Sequence, residues 1–247
     1  MDRSLIYGAV SGIVESCFSH PIDFYKVKYQ ELVFNNRTQT KPNIISFMSS
    51  NIKNNGFFSL YRGFVPKILS IIPTRTAFWG VQDICNRKLP ITHPIQKYTI
   101  SGIIAGFCQT IVETPGEVFK IQMMSNKGLK SNIIRNSFNG FQWNAARNSA
   151  FCAAVCLSNN CYQSDNKIKK FMVNGTSAFM ACIITQPLDF MKTKYQINDS
   201  NYKLSFIKAI KDYKFKIFSG ALPRSYTGFV NMGIGSIIFN YLVNNYS

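Results

Sequence analysis

Acidic residues are scarce in this 247-residue chain: eleven Asp and Glu stand against twenty-eight Lys and Arg, a formal net charge of +17. Such a balance suits nucleic acid, an anionic membrane surface or an anionic solute. Histidine is scarcer still, with only His20 and His93, and none of the seven cysteines forms a C-x-x-C pair. A zinc site needs clustered His and Cys, so no metal is expected. The thiols are expected to be free and mostly buried, in a reducing compartment. A glycine-rich phosphate loop and a nucleophile–base–orienter set are also missing, so neither an enzyme nor a cofactor is expected. No run of eighteen apolar residues marks a plain membrane span. Helices that line a watery cavity keep one polar face, however, and escape that criterion. The first residues lack a basic region followed by an apolar core and a small-residue cleavage site, so no removable signal is expected.

What is present is a threefold recurrence. Pro21-Ile22-Asp23-Phe24-Tyr25-Lys26, Pro115-Gly116-Glu117-Val118-Phe119-Lys120 and Pro187-Leu188-Asp189-Phe190-Met191-Lys192 share the pattern P-x-acid-x-x-K. Repetition of this kind sets the architecture before any single residue is read. Ahead of each proline lies a largely apolar stretch: Leu5 to His20, Ile95 to Glu113 and Lys170 to Thr185. Gly12, Gly106 and Ala178 occupy equivalent places in these stretches, where small residues let helices approach closely. Pro21, Pro115 and Pro187 should kink their helices by removing a donor and crowding the preceding turn. A second apolar stretch follows each of Gly63, Gly140 and Gly220: Phe64 to Lys88, Phe141 to Tyr162 and Leu222 to Val243. Short surface helices fit Ile44 to Lys53 and Leu204 to Tyr213. The expected fold is all-α, six transmembrane helices in three pseudo-threefold pairs. It forms one domain over 1–247, with repeats at about 1–90, 91–164 and 165–247.

Positive charge gathers between proline and glycine: Lys41 and Lys53, then Lys127, Lys130 and Arg135, then Lys203, Lys208, Lys211, Lys214 and Lys216. Basic loops on one side fit a membrane protein. A soluble nucleic-acid binder is compatible with the charge, but such a protein has no need for six alternating apolar stretches.

These residues resemble the mitochondrial carrier family, whose repeat reads P-x-[DE]-x-x-[KR]-x-[KR] and, after a linker, [DEN]-G-x(4)-[WYF]-[KR]-G. Repeat 1 matches almost throughout, with Pro21, Asp23, Lys26, Lys28, Asn55-Gly56 and Tyr61-Arg62-Gly63. Repeat 2 carries Gln122 for the second base and closes with Phe138-Asn139-Gly140. Repeat 3 has Pro187, Asp189, Lys192 and Lys194, and closes with Phe218-Ser219-Gly220. The chain is shorter than typical members, and in this it looks like the compact carriers of some large DNA viruses.

Residues three apart share a helix face, so the residues alone allow each acid to pair with the base on its own helix. The resemblance implies pairs between helices instead: Asp23 with Lys120, Glu117 with Lys192, Asp189 with Lys26. Such a ring would close the matrix side. It further implies glutamine braces at Gln30 and Gln196, with Met124 in the third place. It implies cardiolipin head groups at the helix starts near Arg62, Gly63, Gly140 and Gly220. Substrate contacts would lie seven residues past each closing glycine, at Ser70, Arg147 and Thr227, with Asn148, Phe151, Arg75 and Arg224 near them. Lys67 and Asn144 stand nearer the basic gate, and Glu15, Ser16 and Gln109 are further candidates. Arg147 with Phe151 could hold a phosphate and stack a base; Phe151 could equally pack between helices. Arg75 and Arg224 could snorkel to an interface. The opposite gate would involve Asp83, Asn160 and Asn240 with Asn86, Gln163 and Val243, a polar rather than ionic closure.

The expectation is a monomeric carrier of the mitochondrial inner membrane (a host cell's, on the viral resemblance), exchanging an anionic metabolite by alternating access. Cationic residues at successive depths favour a nucleotide or deoxynucleotide. Against this, Arg147-Asn148 resembles carriers of keto acids, which keeps keto acids or dicarboxylates as the alternative. A membrane-shaping protein without transport is a third reading.

Overall fold

The apolar stretches ahead of the prolines fold into helices that run on past them. The computed structural model describes residues 3–34, 43–125, 136–161, 167–197, 205–229 and 231, and among these no strand occurs. The elements are α1 (Arg3–Phe34), α2 (Ile44–Asn55), α3 (Phe64–Lys88), α4 (Pro94–Met124), α5 (Phe141–Cys161), α6 (Lys167–Ile184), α7 (Gln186–Ile197) and α8 (Phe206–Tyr213). A final helix, α9, covers 221–229. Short 3-10 turns at Phe57–Tyr61 and Lys214–Phe218 lead into the closing glycines. Lys41, Lys127, Lys130, Arg135, Lys203, Gln163, Asn240 and Val243 lie outside the described residues, as does the side chain of Asn160.

α1 and α4 have 32 and 31 residues. At a rise of 1.5 Å per residue they reach about 48 and 46 Å, more than the ~30 Å of a hydrocarbon layer. The three prolines behave differently. α1 and α4 continue through Pro21 and Pro115, whereas the third repeat breaks at Thr185 between α6 and α7. The Asp189 N–H still bonds the Thr185 carbonyl at 3.1 Å, so the interruption is local.

Small residues bring the helices together as their spacing predicts. A Cβ on Gly106 would lie 2.8 Å from the Asn148 carbonyl oxygen, and one on Gly102 would lie 2.8 Å from the Ala153 Cα. α4 therefore meets α5 backbone to backbone. Gly12 faces Ile71 of α3, and Gly175 faces the Phe229 ring of α9.

Gly63, Gly140 and Gly220 take φ of +81, +75 and +82°, a left-handed conformation that disfavours any Cβ. Each also abuts the basic residue of the next repeat. The nearest atoms to an added Cβ would be the Lys120 carbonyl oxygen, the Lys192 carbonyl oxygen and the Lys26 side chain, respectively. The third repeat thus returns to the first, and the arrangement closes on itself.

Polarity is turned inside out. Thr110, Thr114, Asn144, Asn148, Asp189 and Lys192 are buried, while Val65, Leu69, Ile72, Ile103, Phe107 and Ile111 are exposed along α3 and α4. No described helix is long and apolar enough to cross a membrane on hydropathy alone. Several of the polar residues that lower the hydropathy of α4, α5 and α7 are among the buried ones. Apolar faces turned outward and ionisable ones turned inward suit a lipid surround.

Where α1, α4 and α7 converge, Phe24, Val27, Ile121, Met124 and Ile197 form an apolar plug with Leu60. Beside it, Val33, Phe190 and Ile217 form a second cluster. At the same end Lys194 is bonded to the Tyr213 hydroxyl oxygen, and burial pushes that phenol's pKa up. His20, next to Pro21, stacks on Tyr61 at 5.9 Å and bonds the Arg62 carbonyl at 3.1 Å. Its ring holds the closing segment of repeat 1 against α1.

Candidate functional site

The acid and the base of each P-x-acid-x-x-K stretch share one helix face, and the three faces meet just beyond the prolines. The residues allow pairing within a helix or between helices; the ion pairs found run between helices. Lys120 Nζ lies 2.7 Å from Asp23 Oδ2, Lys26 Nζ lies 2.5 Å from Asp189 Oδ2, and Lys192 pairs with Glu117. The ring joins α1 to α4, α4 to α7 and α7 back to α1. Beside it sits the apolar plug, which limits water's approach from that side.

Three further cations reach the ring from the other helix of each pair. Lys67 Nζ of α3 lies 3.0 Å from Asp23, Arg224 Nε of α9 lies 3.8 Å from Asp189, and Arg147 Nη1 of α5 lies 3.1 Å from Asp189. Arg147 also approaches Glu117 at 3.7 Å and Glu113 at 4.0 Å. Asp189 therefore holds three cations, and Arg147 faces three carboxylates. Their positions four or seven residues past the closing glycine could be counted in the sequence; the acids they meet could not. Glu113 escaped the sequence reading entirely, because it lies outside the repeated pattern. It accepts from Asn148 Nδ2 at 2.5 Å, and Asn148 Oδ1 accepts from Arg147 Nη2 at 2.6 Å.

Other expected residues are placed less centrally. The Ser70 and Thr227 hydroxyls donate at 2.8 Å to the Lys67 and Arg224 carbonyls of their own helices. That leaves Arg147 as the cation at their level. Arg75 pairs with Glu15 at 2.9 Å. Arg224 is held by the Cys182 carbonyl at 3.0 Å and the Thr185 hydroxyl at 2.9 Å. Arg224, 10% exposed, is thus tied to α6, whereas Arg75 is tied to Glu15 of α1 but stays 44% exposed. Phe151 is half-buried and makes no ring contact with a described residue, so nothing prepares it for base stacking.

The expected glutamine braces do not form in this state. Gln30 donates to the Ser219 carbonyl at 3.2 Å, and neither polar atom of the Gln196 amide has a partner. Met124, in the third place, is fully buried in the apolar plug. Toward the other end, Asp83 pairs with Arg87 of the same helix, so the described residues carry no ionic ring there. Arg62 is exposed beside Gly63, while Gly63, Gly140 and Gly220 start their helices against the ring lysines.

The described helices thus hold an ionic ring between α1, α4 and α7, with further cations turned toward it from α3, α5 and α9. The sequence profile described as mitochondrial carrier protein matches residues 2–93. A mitochondrial dicarboxylate carrier of Caenorhabditis elegans is 26% identical over 219 residues, covering 76% of this chain and 73% of the relative. A probable mitochondrial 2-oxoglutarate/malate carrier protein of Dictyostelium discoideum is 23% identical over 227 residues, 78% of this chain and 70% of that one. The mitochondrial 2-oxodicarboxylate carrier of Homo sapiens is 28% identical over 131 residues, 51% of this chain and 42% of its own length. Over its first 93 residues by that profile, and over about three quarters of its length by the first two relatives, the chain is similar to mitochondrial carriers.

Proposed function

We propose that this carrier exchanges small dicarboxylates, 2-oxodicarboxylates among them, across the mitochondrial inner membrane. The ionic ring acts as its matrix-side gate. One observation carries the reading. Among the described residues, the ion pairs that link different helices join seven cations (Lys26, Lys67, Arg75, Lys120, Arg147, Lys192, Arg224) to five carboxylates (Glu15, Asp23, Glu113, Glu117, Asp189). The excess is two positive charges, which a dianion neutralises. Arg147 is the natural first contact, because its guanidinium offers bidentate geometry to a carboxylate and already faces carboxylates of the ring. A substrate carboxylate that takes Arg147 withdraws it from Asp189 and Glu117, which weakens the ring. Binding can bias opening only through such differential contacts.

The names of the relatives support the same class, and the keto-acid resemblance of Arg147-Asn148 agrees with it. The nucleotide expectation loses its support, since the relatives are named for dicarboxylates and oxo acids and Arg147 is shared among three carboxylates. A polyphosphate would also exceed the two-charge surplus.

Exchange by protein reconstituted in liposomes tests the reading. Vesicles loaded with malate should take up labelled 2-oxoglutarate, and Arg147→Ala should abolish uptake. Arg147→Lys should recover little of it, because a lysine keeps the charge without the fork. Uptake of nucleoside triphosphates with no uptake of dicarboxylates would overturn the proposal.

A further inference from the structure

The three repeats treat one position differently. Ser19, Glu113 and Thr185 each stand two residues before a repeat proline. In repeat 1 Ser19 Oγ accepts from Lys67 Nζ at 3.2 Å, and in repeat 3 Thr185 Oγ1 accepts from Arg224 Nη2 at 2.9 Å. In both cases a hydroxyl receives the cation that stands four residues past the closing glycine. Repeat 2 changes both partners. Its residue four past the glycine is Asn144, bonded to Thr114 Oγ1 at 3.1 Å. The cation has moved one turn on, to Arg147, and the hydroxyl has become the carboxylate of Glu113.

Glu113 is held in place from α5. Asn148 Nδ2 donates to Glu113 and, at 3.1 Å, to Thr110 Oγ1, while Asn148 Oδ1 accepts from Arg147. Both the donor and the acceptor of the Asn148 amide are thereby used, so the Arg147–Asn148–Glu113 set has one orientation. Glu113 makes no ion pair with a described lysine; it shares Arg147 with Glu117 and Asp189. It adds a negative charge beside the cation that meets the substrate, without closing the gate.

We propose that Glu113 sets the charge selectivity of the substrate site, holding its surplus at two so that dianions are taken and trianions refused. The inference rests on the dicarboxylate reading above. With Glu113 neutral the surplus becomes three, and a third substrate carboxylate would find a cation where wild type presents a like charge. Like charges in a partly buried site repel strongly enough to reject one ligand over another.

Two substitutions separate charge from shape. Glu113→Gln keeps an oxygen for the Asn148 amide, and Glu113→Ser copies the hydroxyl of the other two repeats. In liposome exchange, wild type should prefer 2-oxoglutarate or malate over citrate by at least roughly tenfold, and either variant should shift that ratio toward citrate by a similar factor. A ratio within twofold of wild type in a variant that folds would overturn the inference. Should neither variant fold, wild type still decides: equal uptake of malate and citrate would overturn it. Failure of wild type to exchange any carboxylate would sink the dicarboxylate reading itself. Exchange of dicarboxylates without discrimination by charge would sink only the role of Glu113.

Discussion

Asp189→Asn is the sharpest test of the ring. The side chain is 1% exposed, with Lys26 at 2.5 Å, Arg147 at 3.1 Å and Arg224 at 3.8 Å. Asparagine keeps the size and one acceptor oxygen but leaves three buried cations facing a neutral group. Removing one partner of a buried pair costs about 3–5 kcal/mol, because the remaining charge stays desolvated. With three partners on one carboxylate, the upper part of that range is expected. For a chain of this size each kcal/mol moves the melting temperature by roughly 2–4 °C, so the drop should lie between about 8 and 20 °C.

Thermal unfolding of purified protein in detergent reads the stability, and liposome exchange reads the gate. The exchange rate should collapse, since alternation needs both closed states within reach of the substrate's binding energy. Asp23→Asn provides the contrast. Asp23 is 22% exposed and holds two cations, Lys120 and Lys67, so water replaces part of the lost interaction and the drop should be smaller. Lys26→Ala added to Asp189→Asn should cost less than Lys26→Ala alone, because the two residues act as one unit. A melting temperature within 2 °C of wild type for Asp189→Asn, together with unchanged exchange, would refute the reasoning.

Two further substitutions probe the frame around the ring. Gly63→Ala places a Cβ 2.8 Å from the Lys120 carbonyl oxygen in a left-handed conformation, which by itself costs an L residue about 1–2 kcal/mol. Thermal unfolding should show a larger loss than Gly220→Ala, whose obstacle is the flexible Lys26 side chain. Met124→Gln installs the residue that the repeat pattern would favour, but sets its amide among Phe24, Val27, Ile121 and Ile197. An unsatisfied buried amide should cost about 1–3 kcal/mol; a higher melting temperature would show instead that the amide finds the ring.

How much of this was legible depends on how local the signal is. The ring acids and bases could be read because each pair is written within four residues and three times over. The helices α2 and α3 could be read because their starts and stops are local as well: Asn43 caps α2 with its side chain, and Gly63 turns the chain into α3. The partner of Arg147 could not be read. Whether it meets Asp189, Glu117 or Glu113 depends on the rotation and depth of α5 against α4 and α7. These follow from contacts such as Gly106 against the Asn148 backbone, not from any spacing along one helix. The glutamine brace failed for a related reason. Gln30 and Gln196 stand at the expected positions, yet Gln30 is taken by the Ser219 carbonyl, an acceptor 189 residues along the chain.

The division between legible and illegible residues follows the division of labour that the dicarboxylate proposal assigns. A gate can be symmetric, because closing a channel asks the same of each helix. A small asymmetric solute asks something different of each wall, so the residues that select it must break the repeat. The departures here are Asn144 against Lys67 and Arg224, Arg147 against Ser70 and Thr227, and Glu113 against Ser19 and Thr185. All three fall in repeat 2, on the two helices whose backbones touch. Arg147 and Glu113 also carry opposite charges 4.0 Å apart. The α4–α5 wall is therefore where an exchange of one carboxylate solute for another should be decided. Substitutions there should alter which anion is carried, while substitutions in the ring should alter whether anything is carried at all.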